Sequence, residues 1–145
     1  MTRPIIYKSQ SEEETRFIGF EIAKTLLPGD VVGLSGEFGA GKTRLIKAIC
    51  EYYEIPPSRV TSPSFTLIHE YQGSHKIVHL DTYRLATDGD FELLDIDYYL
   101  EQKAIILIEW AGKVEHLLPK STRWIEIHVD GPTRRTLHFS GKKHD

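Results

Sequence analysis

Gly36-Glu37-Phe38-Gly39-Ala40-Gly41-Lys42-Thr43 decides how this chain is read. The stretch fits the phosphate-binding pattern G-x-x-x-x-G-K-[ST]. Residues 30–34 before it, Asp-Val-Val-Gly-Leu, read as a short buried strand, and residues 44–53 after it read as a helix. Glycines let such a loop close around an anion with its backbone N–H groups turned inward. The free amides and positive dipole end of the following helix strengthen the same field. The pattern gives Lys42 the β- and γ-phosphates and gives the Thr43 hydroxyl Mg2+. With glycine near 7% of average usage, a chance match in a chain this long arises roughly once in two hundred. The stretch therefore predicts nucleotide binding through Gly36, Glu37, Phe38, Gly39, Ala40, Gly41, Lys42 and Thr43.

The 145 residues suit one domain, 1–145. Apolar residues make up 40% and charged residues 27%, as in an ordinary soluble globule, and the net charge of −3 argues against a broad nucleic-acid or membrane surface. Cys50 is the single cysteine, which excludes a disulfide framework and suits a reducing compartment; it reads as a small apolar residue on the buried face of the helix after the loop. No apolar stretch follows the N-terminal residues, and the longest aliphatic run, 104–108, is far too short to span a bilayer. These features predict a cytoplasmic protein with no membrane association.

Working outward from the loop, residues 4–8 read as an edge strand. Ser11 and Glu14 form a capping box before a helix with Phe17, Phe20, Ile22, Ala23, Leu26 and Leu27 on its apolar face, stopped by Pro28-Gly29. After the loop, Leu45, Ile46, Ala48, Ile49 and Tyr52 form the inner face of the next helix. Residues 65–71 and 76–80 alternate as the strands of a β-hairpin turning at Gln72-Gly73-Ser74. A helix is expected from Asp88 through Phe91, Leu94 and Tyr98. Residues 104–108 are almost wholly aliphatic, as in a parallel strand buried on both faces. A short helix over 114–118 and a hairpin of 124–129 with 135–140 complete the chain, and 141–145 read as a polar, mobile tail. The expected architecture is an α/β phosphate-loop NTPase fold, with a mixed, mostly parallel sheet flanked by helices and extended by antiparallel hairpins.

Two of these strands end in an acid, Asp81 and Glu109. Ligands of open α/β sheets sit at the carboxyl ends of the strands. Mg2+ prefers oxygen ligands, often one or two carboxylates. One acid is thus expected to hold the ion or its water and the other to position the attacking water, and the sequence leaves open which does which. Thr61, in the polar loop Thr61-Ser62-Pro63-Ser64, occupies the place of a γ-phosphate-sensing switch, although Pro63 alone also accounts for a surface turn. His69, His75 and His79 do not complete a zinc site: His75 and His79 share a strand face, and His69 reads as out of simple register on the neighbouring strand. His79 instead reads as a support for the active site. Arg84 is a candidate for neutralising phosphate charge or meeting a partner.

The motif at 36–43, then Thr61-Ser62-Pro63-Ser64-Phe65, then His79-Leu80-Asp81-Thr82-Tyr83-Arg84, then Glu109-Trp110, taken in series, resemble the bacterial TsaE family (formerly YjeE). The resemblance covers nearly the whole chain. It implies an ATPase that works with a TsaB–TsaD complex to place threonylcarbamoyl on N6 of adenosine 37 in tRNAs reading codons that begin with A, meeting tRNA only through that complex. It also implies roles: Lys42 and Thr43 for phosphate and Mg2+, Thr61 as switch threonine, Asp81 as Walker-B-like acid, Glu109 as magnesium or catalytic acid, and Trp110 as an aromatic near the nucleotide. Phe38, Arg44 and Ser64 depart from the family's commoner Leu, Thr and Thr. Arg134 is a candidate neighbour of the adenine.

Together these readings predict Mg2+-dependent ATP hydrolysis with Lys42, Asp81 and Glu109 as catalytic residues and Thr43, Asp81 and Glu109 at the metal. A small-molecule kinase would need a lid-sized insertion with arginines, and a GTPase switch would need the guanine-reading Asn-Lys-x-Asp signature. The sequence shows neither.

Overall fold

The computed structural model describes residues 4–37, 39–61, 63 and 67–140. Phe38, Ser62, Ser64, Phe65 and the tail 141–145, all named above, lie outside the described residues.

Seven strands form one sheet: β1 (Ile5–Ser9), β2 (Val31–Ser35), β3 (Ile68–Gln72), β4 (Lys76–Asp81), β5 (Ile105–Glu109), β6 (Arg123–Val129) and β7 (Arg135–Ser140), in the spatial order β1-β7-β6-β2-β5-β4-β3. The central pairings β6-β2, β2-β5 and β5-β4 are parallel, and the outer ones, β1-β7, β7-β6 and β4-β3, are antiparallel. The expected parallel core and hairpin extensions are therefore both present.

Among the described residues four helices flank the sheet: α1 (Glu12–Lys24), α2 (Lys42–Tyr52), α3 (Asp88–Glu92) and α4 (Ile96–Glu101), with 3-10 turns at Pro57–Arg59 and Ala111–Leu117. β5 is buried at all five positions and sorts its side chains by period two. Ile105 and Leu107 join the layer of α1 and α2, which includes Ile22, Leu45 and Ile49. Ile106 and Ile108 join the opposite layer, with Phe91, Ile96 and Val114. The short helix expected over 114–118 is a 3-10 segment over Ala111–Leu117 with non-helical backbone at Val114.

Ser11 caps α1 by accepting a hydrogen bond from the Glu14 amide at 3.1 Å, while the Glu14 carboxylate accepts from the Gln10 amide at 2.9 Å, one residue earlier than a standard capping box. Ser11→Ala is expected to cost about 1 kcal/mol, read as a lower urea midpoint at unchanged slope.

Several expectations are corrected. Ile18, Ile22 and Ala23 fill the inner face of α1 and Leu26 is buried just past its end, whereas Phe17 and Leu27 are exposed: helical spacing alone admits both stripes, and contact with α2 selects one. Tyr52 is likewise exposed, and Cys50 is buried in the same helix. The helix expected from Asp88 through Tyr98 is two helices, broken where Asp95 adopts the left-handed conformation at φ 53°. α3 is capped by Thr87, whose hydroxyl accepts from the Asp90 amide. His69 is in direct register, opposite His79 on β4, because the hairpin turns symmetrically about 73–75. Among the described residues, no helix is long and apolar enough to cross a membrane.

Candidate phosphate-binding site

β2 runs parallel between β6 and β5, and the glycine-rich loop leaves its carboxyl end. Gly41, at φ 104°, is the N-cap of α2 and makes no side-chain cap, so the first amides of that helix are left for a ligand. Gly36 needs its missing side chain, because a Cβ there would lie 2.9 Å from the Ile127 carbonyl oxygen. The loop is thereby pressed against β6.

Next to β2 come β5 and then β4, in register so that Asp81 pairs with Glu109. Both acids leave their strands at the end from which the phosphate loop starts. A cleft of about 560 Å3 joins them, lined by Gly39 to Arg44, Asp81, Glu109 and Trp110 together with Ser11, Thr15, Thr133 and Arg135.

Lys42 is buried in the wall of this cleft. Its Nζ donates to the carbonyl oxygens of Gly36 and Glu37, the latter at 3.1 Å, and lies 3.9 Å from the centre of the Trp110 ring. Burial pushes its pKa below the usual lysine value, while the carboxylates of Glu109, Asp81 and Glu37 work in the opposite direction. Trp110 holds the left-handed conformation at φ 59°, and its ring also packs on Tyr83 with centroids 5.0 Å apart. That turn is pinned by Thr82, whose hydroxyl donates to the carbonyls of Glu109 at 3.0 Å and Trp110 at 2.8 Å.

The two acids differ in surroundings. Asp81 accepts a hydrogen bond from the Tyr83 amide at 2.9 Å, and its pKa is raised mainly by burial. Glu109 is nearly fully buried, with one carboxylate oxygen 2.7 Å from Nε2 of His79. Thr43, Asp81 and Glu109 present the hard oxygen donors that suit Mg2+ and would offer little to a soft metal.

The structure thus brings Lys42, Thr43, Asp81, Glu109 and Trp110 to one cleft. It separates two other candidates from it. Thr61 does not line the cleft; its backbone is tied to Tyr71 and His69 on β3. Arg134 is exposed and outside the lining, and the arginine that reaches the loop is Arg135. Arg135 donates from Nε to the Ala40 carbonyl at 3.0 Å and from Nη2 to the Gly39 carbonyl at 3.3 Å. Alternation in β7 could have found it, since Arg135 shares a strand face with buried Leu137 and Phe139. The amino end of α1 was also missed as a cleft wall. Ser9 bonds to the Thr15 hydroxyl there at 2.7 Å, and Arg44 pairs with Glu12 at 2.8 Å.

A phosphate loop at the end of the central parallel strand, with acids ending the next two strands, defines a phosphate-loop α/β protein. The TsaE family model, described as threonylcarbamoyl adenosine biosynthesis protein TsaE, matches residues 9–137. The tRNA threonylcarbamoyladenosine biosynthesis protein TsaE of Bacillus subtilis is 36% identical over 135 residues, covering 92% of this chain and 84% of that protein. Its counterpart in Streptomyces coelicolor is 43% identical over 107 residues, covering 70% and 71%. The crystal structure of Bacillus subtilis YdiB superposes with a TM-score of 0.80 at 30% identity, covering 99% of this chain and 88% of that one. The chain belongs to the TsaE family.

Proposed function

We propose that the chain is a Mg2+-dependent ATPase that serves, with a TsaB–TsaD complex, the threonylcarbamoylation of N6 of adenosine 37 in tRNAs reading codons that begin with A. The observation that carries this reading is the convergence of the phosphate loop, buried Lys42 and the acids of β4 and β5 on one cleft in a TsaE-family chain. The loop amides and the start of α2 bind the phosphates. The Lys42 ammonium moves from the Gly36 and Glu37 carbonyls to the transferring phosphoryl group, where negative charge develops. Bound Mg2+ would neutralise phosphate charge, held by Thr43 with one of the two acids. The other acid orients water for in-line attack.

Among the described residues lining the cleft, both arginines are engaged, Arg44 with Glu12 and Arg135 with loop carbonyls. Neither is poised as an arginine finger, a group whose arrival raises turnover by about 10³–10⁵ in related chemistry. Slow hydrolysis by the chain alone is therefore expected, with acceleration on adding purified TsaB–TsaD. Turnover measured with and without that complex tests the reading; equal rates in the two cases would count against it. The chain is expected to work in the cytoplasm, where its tRNA substrate complex is made.

A further inference from the structure

Behind the cleft lies a second polar layer that hydrolysis by Asp81, Glu109 and Lys42 does not by itself require. Strand alternation puts Ile77, His79 and Asp81 of β4 on the face that carries Leu107 and Glu109 of β5, and direct pairing adds His69 and Tyr71 of β3. His79 is fully buried there. Its Nε2 is 2.7 Å from Glu109 Oε2, and its Nδ1 has no hydrogen-bond partner among the described residues. Paired in this way, Nε2 is the hydrogen-bond donor and Glu109 Oε2 the acceptor. The imidazole is walled in by the rings of His69 and Tyr71, at centroid distances of 6.4 and 6.3 Å. Those two rings are themselves anchored. The Tyr71 hydroxyl donates to the Thr61 carbonyl at 3.3 Å, and Nδ1 of His69 lies 3.1 Å from both that carbonyl and the Tyr71 hydroxyl.

A buried imidazole with one nitrogen unsatisfied is an expensive thing to keep in a core where leucine would pack. Among the described residues, its one hydrogen-bond partner is the acid that lines the cleft. We propose that His79 is the positioning residue for Glu109: it occupies one carboxylate oxygen and fixes the plane of the group, so that the other oxygen faces the cleft in one orientation. This rests on the hydrolysis reading above. It assigns Glu109 as the acid held from behind, whereas Asp81 is held by the Tyr83 amide. It also gives the Tyr71 and His69 rings, fastened to the backbone of Thr61, the task of seating the imidazole.

The test uses the full chain with TsaB–TsaD. His79→Leu is expected to lower kcat about 10–100-fold, the usual effect of losing a partner that orients a ligand, with ATP affinity unchanged. His79→Gln, whose side-chain amide donates to Glu109 without an imidazole, is expected to recover most of that loss. A role that passes through Glu109 must be non-additive with it, so His79→Leu/Glu109→Gln is expected to be no slower than Glu109→Gln alone. Full additivity, or failure of the glutamine variant when it folds and binds ATP as well as wild type, overturns the proposal. A second readout is independent of turnover. In 15N-histidine spectra of the wild-type chain, His79 is expected to carry a hydrogen at Nε2, with slow exchange of that hydrogen that is lost in Glu109→Ala. An Nε2 without a hydrogen overturns the proposal even if hydrolysis is observed. The expected hydrogen at Nε2 in a chain without any turnover sinks the hydrolysis reading and not the His79–Glu109 contact.

Discussion

Lys42→Ala is expected to lower ATP turnover by at least ~100-fold, with or without TsaB–TsaD, and to weaken ATP binding. The size of the effect follows from the engagement of the other two cations among the described residues that line the cleft. Arg44 is committed to Glu12, and Arg135 is committed to the loop backbone, so neither replaces the missing ammonium. Arginine is not a substitute either. The Nζ sits 3.9 Å above the Trp110 ring and within reach of two loop carbonyls, a place for a compact point charge and not for a planar fork. The fold should survive the change. Burial already disfavours the charge on Lys42, and the carbonyls that lose its hydrogen bonds border a cleft that water can enter. A thermal midpoint close to wild type beside lost turnover is the expected pair of results. Wild-type turnover in Lys42→Ala would place the chemistry elsewhere.

Gly73→Ala is expected to have the largest effect on stability of any glycine-to-alanine change among the described residues. A Cβ at this turn would lie 2.0 Å from the Tyr53 carbonyl oxygen and 2.7 Å from a side-chain carbon of Ile55. Backbone cannot swing away as a side-chain tip does, so either the β3–β4 turn or the segment after α2 must move. The move also strains the 2.7 Å hydrogen bond that the Ser74 amide donates to the same Tyr53 carbonyl. Overpacking and a lost hydrogen bond together amount to about 3 kcal/mol, a drop of roughly 10 °C in Tm for a domain of this size. Gly112→Ala is the control: nothing lies within 4 Å of a Cβ there, and a change within about 0.5 kcal/mol is expected. An equal Tm for the two variants would contradict this account. The hairpin matters to the site because β4 carries Asp81 at its far end.

Much of this fold is legible in the residues, because the signals involved are local. The strand–loop–helix at 31–52 carries its own glycines and periodicity. The aliphatic run at 105–108 has no face left for water, and the two hairpins announce themselves by alternation around Gly73 and Gly131. What was missed depends on which elements touch. Phe17 and Ile18 are adjacent on α1, and only the approach of α2, with a Cβ at Gly19 falling 2.5 Å from that of Ala48, decides which of them is buried. The break at Asp95 is a single backbone angle inside a stretch whose composition suits a helix throughout. Arg135 was missed because its reach to the carbonyls of Gly39 and Ala40 joins residues about 95 positions apart. The register of His69 with His79 needed the hairpin turn to be counted from both sides. The contact between His79 and Glu109 joins residues thirty positions apart, and only the parallel pairing of β4 with β5 creates it.

Cys50 has a practical consequence. It is fully buried in α2, and burial pushes its thiol up to about 12, so almost no thiolate exists near neutral pH. The chain has no other cysteine. A cysteine introduced at an open surface position, for instance Leu93→Cys where the native side chain is 84% exposed, would be the sole thiol to react with a maleimide. Dyes or spin labels can therefore be attached at one chosen point without first removing a native residue from the core, and distances to a labelled partner can be measured on an otherwise unaltered chain.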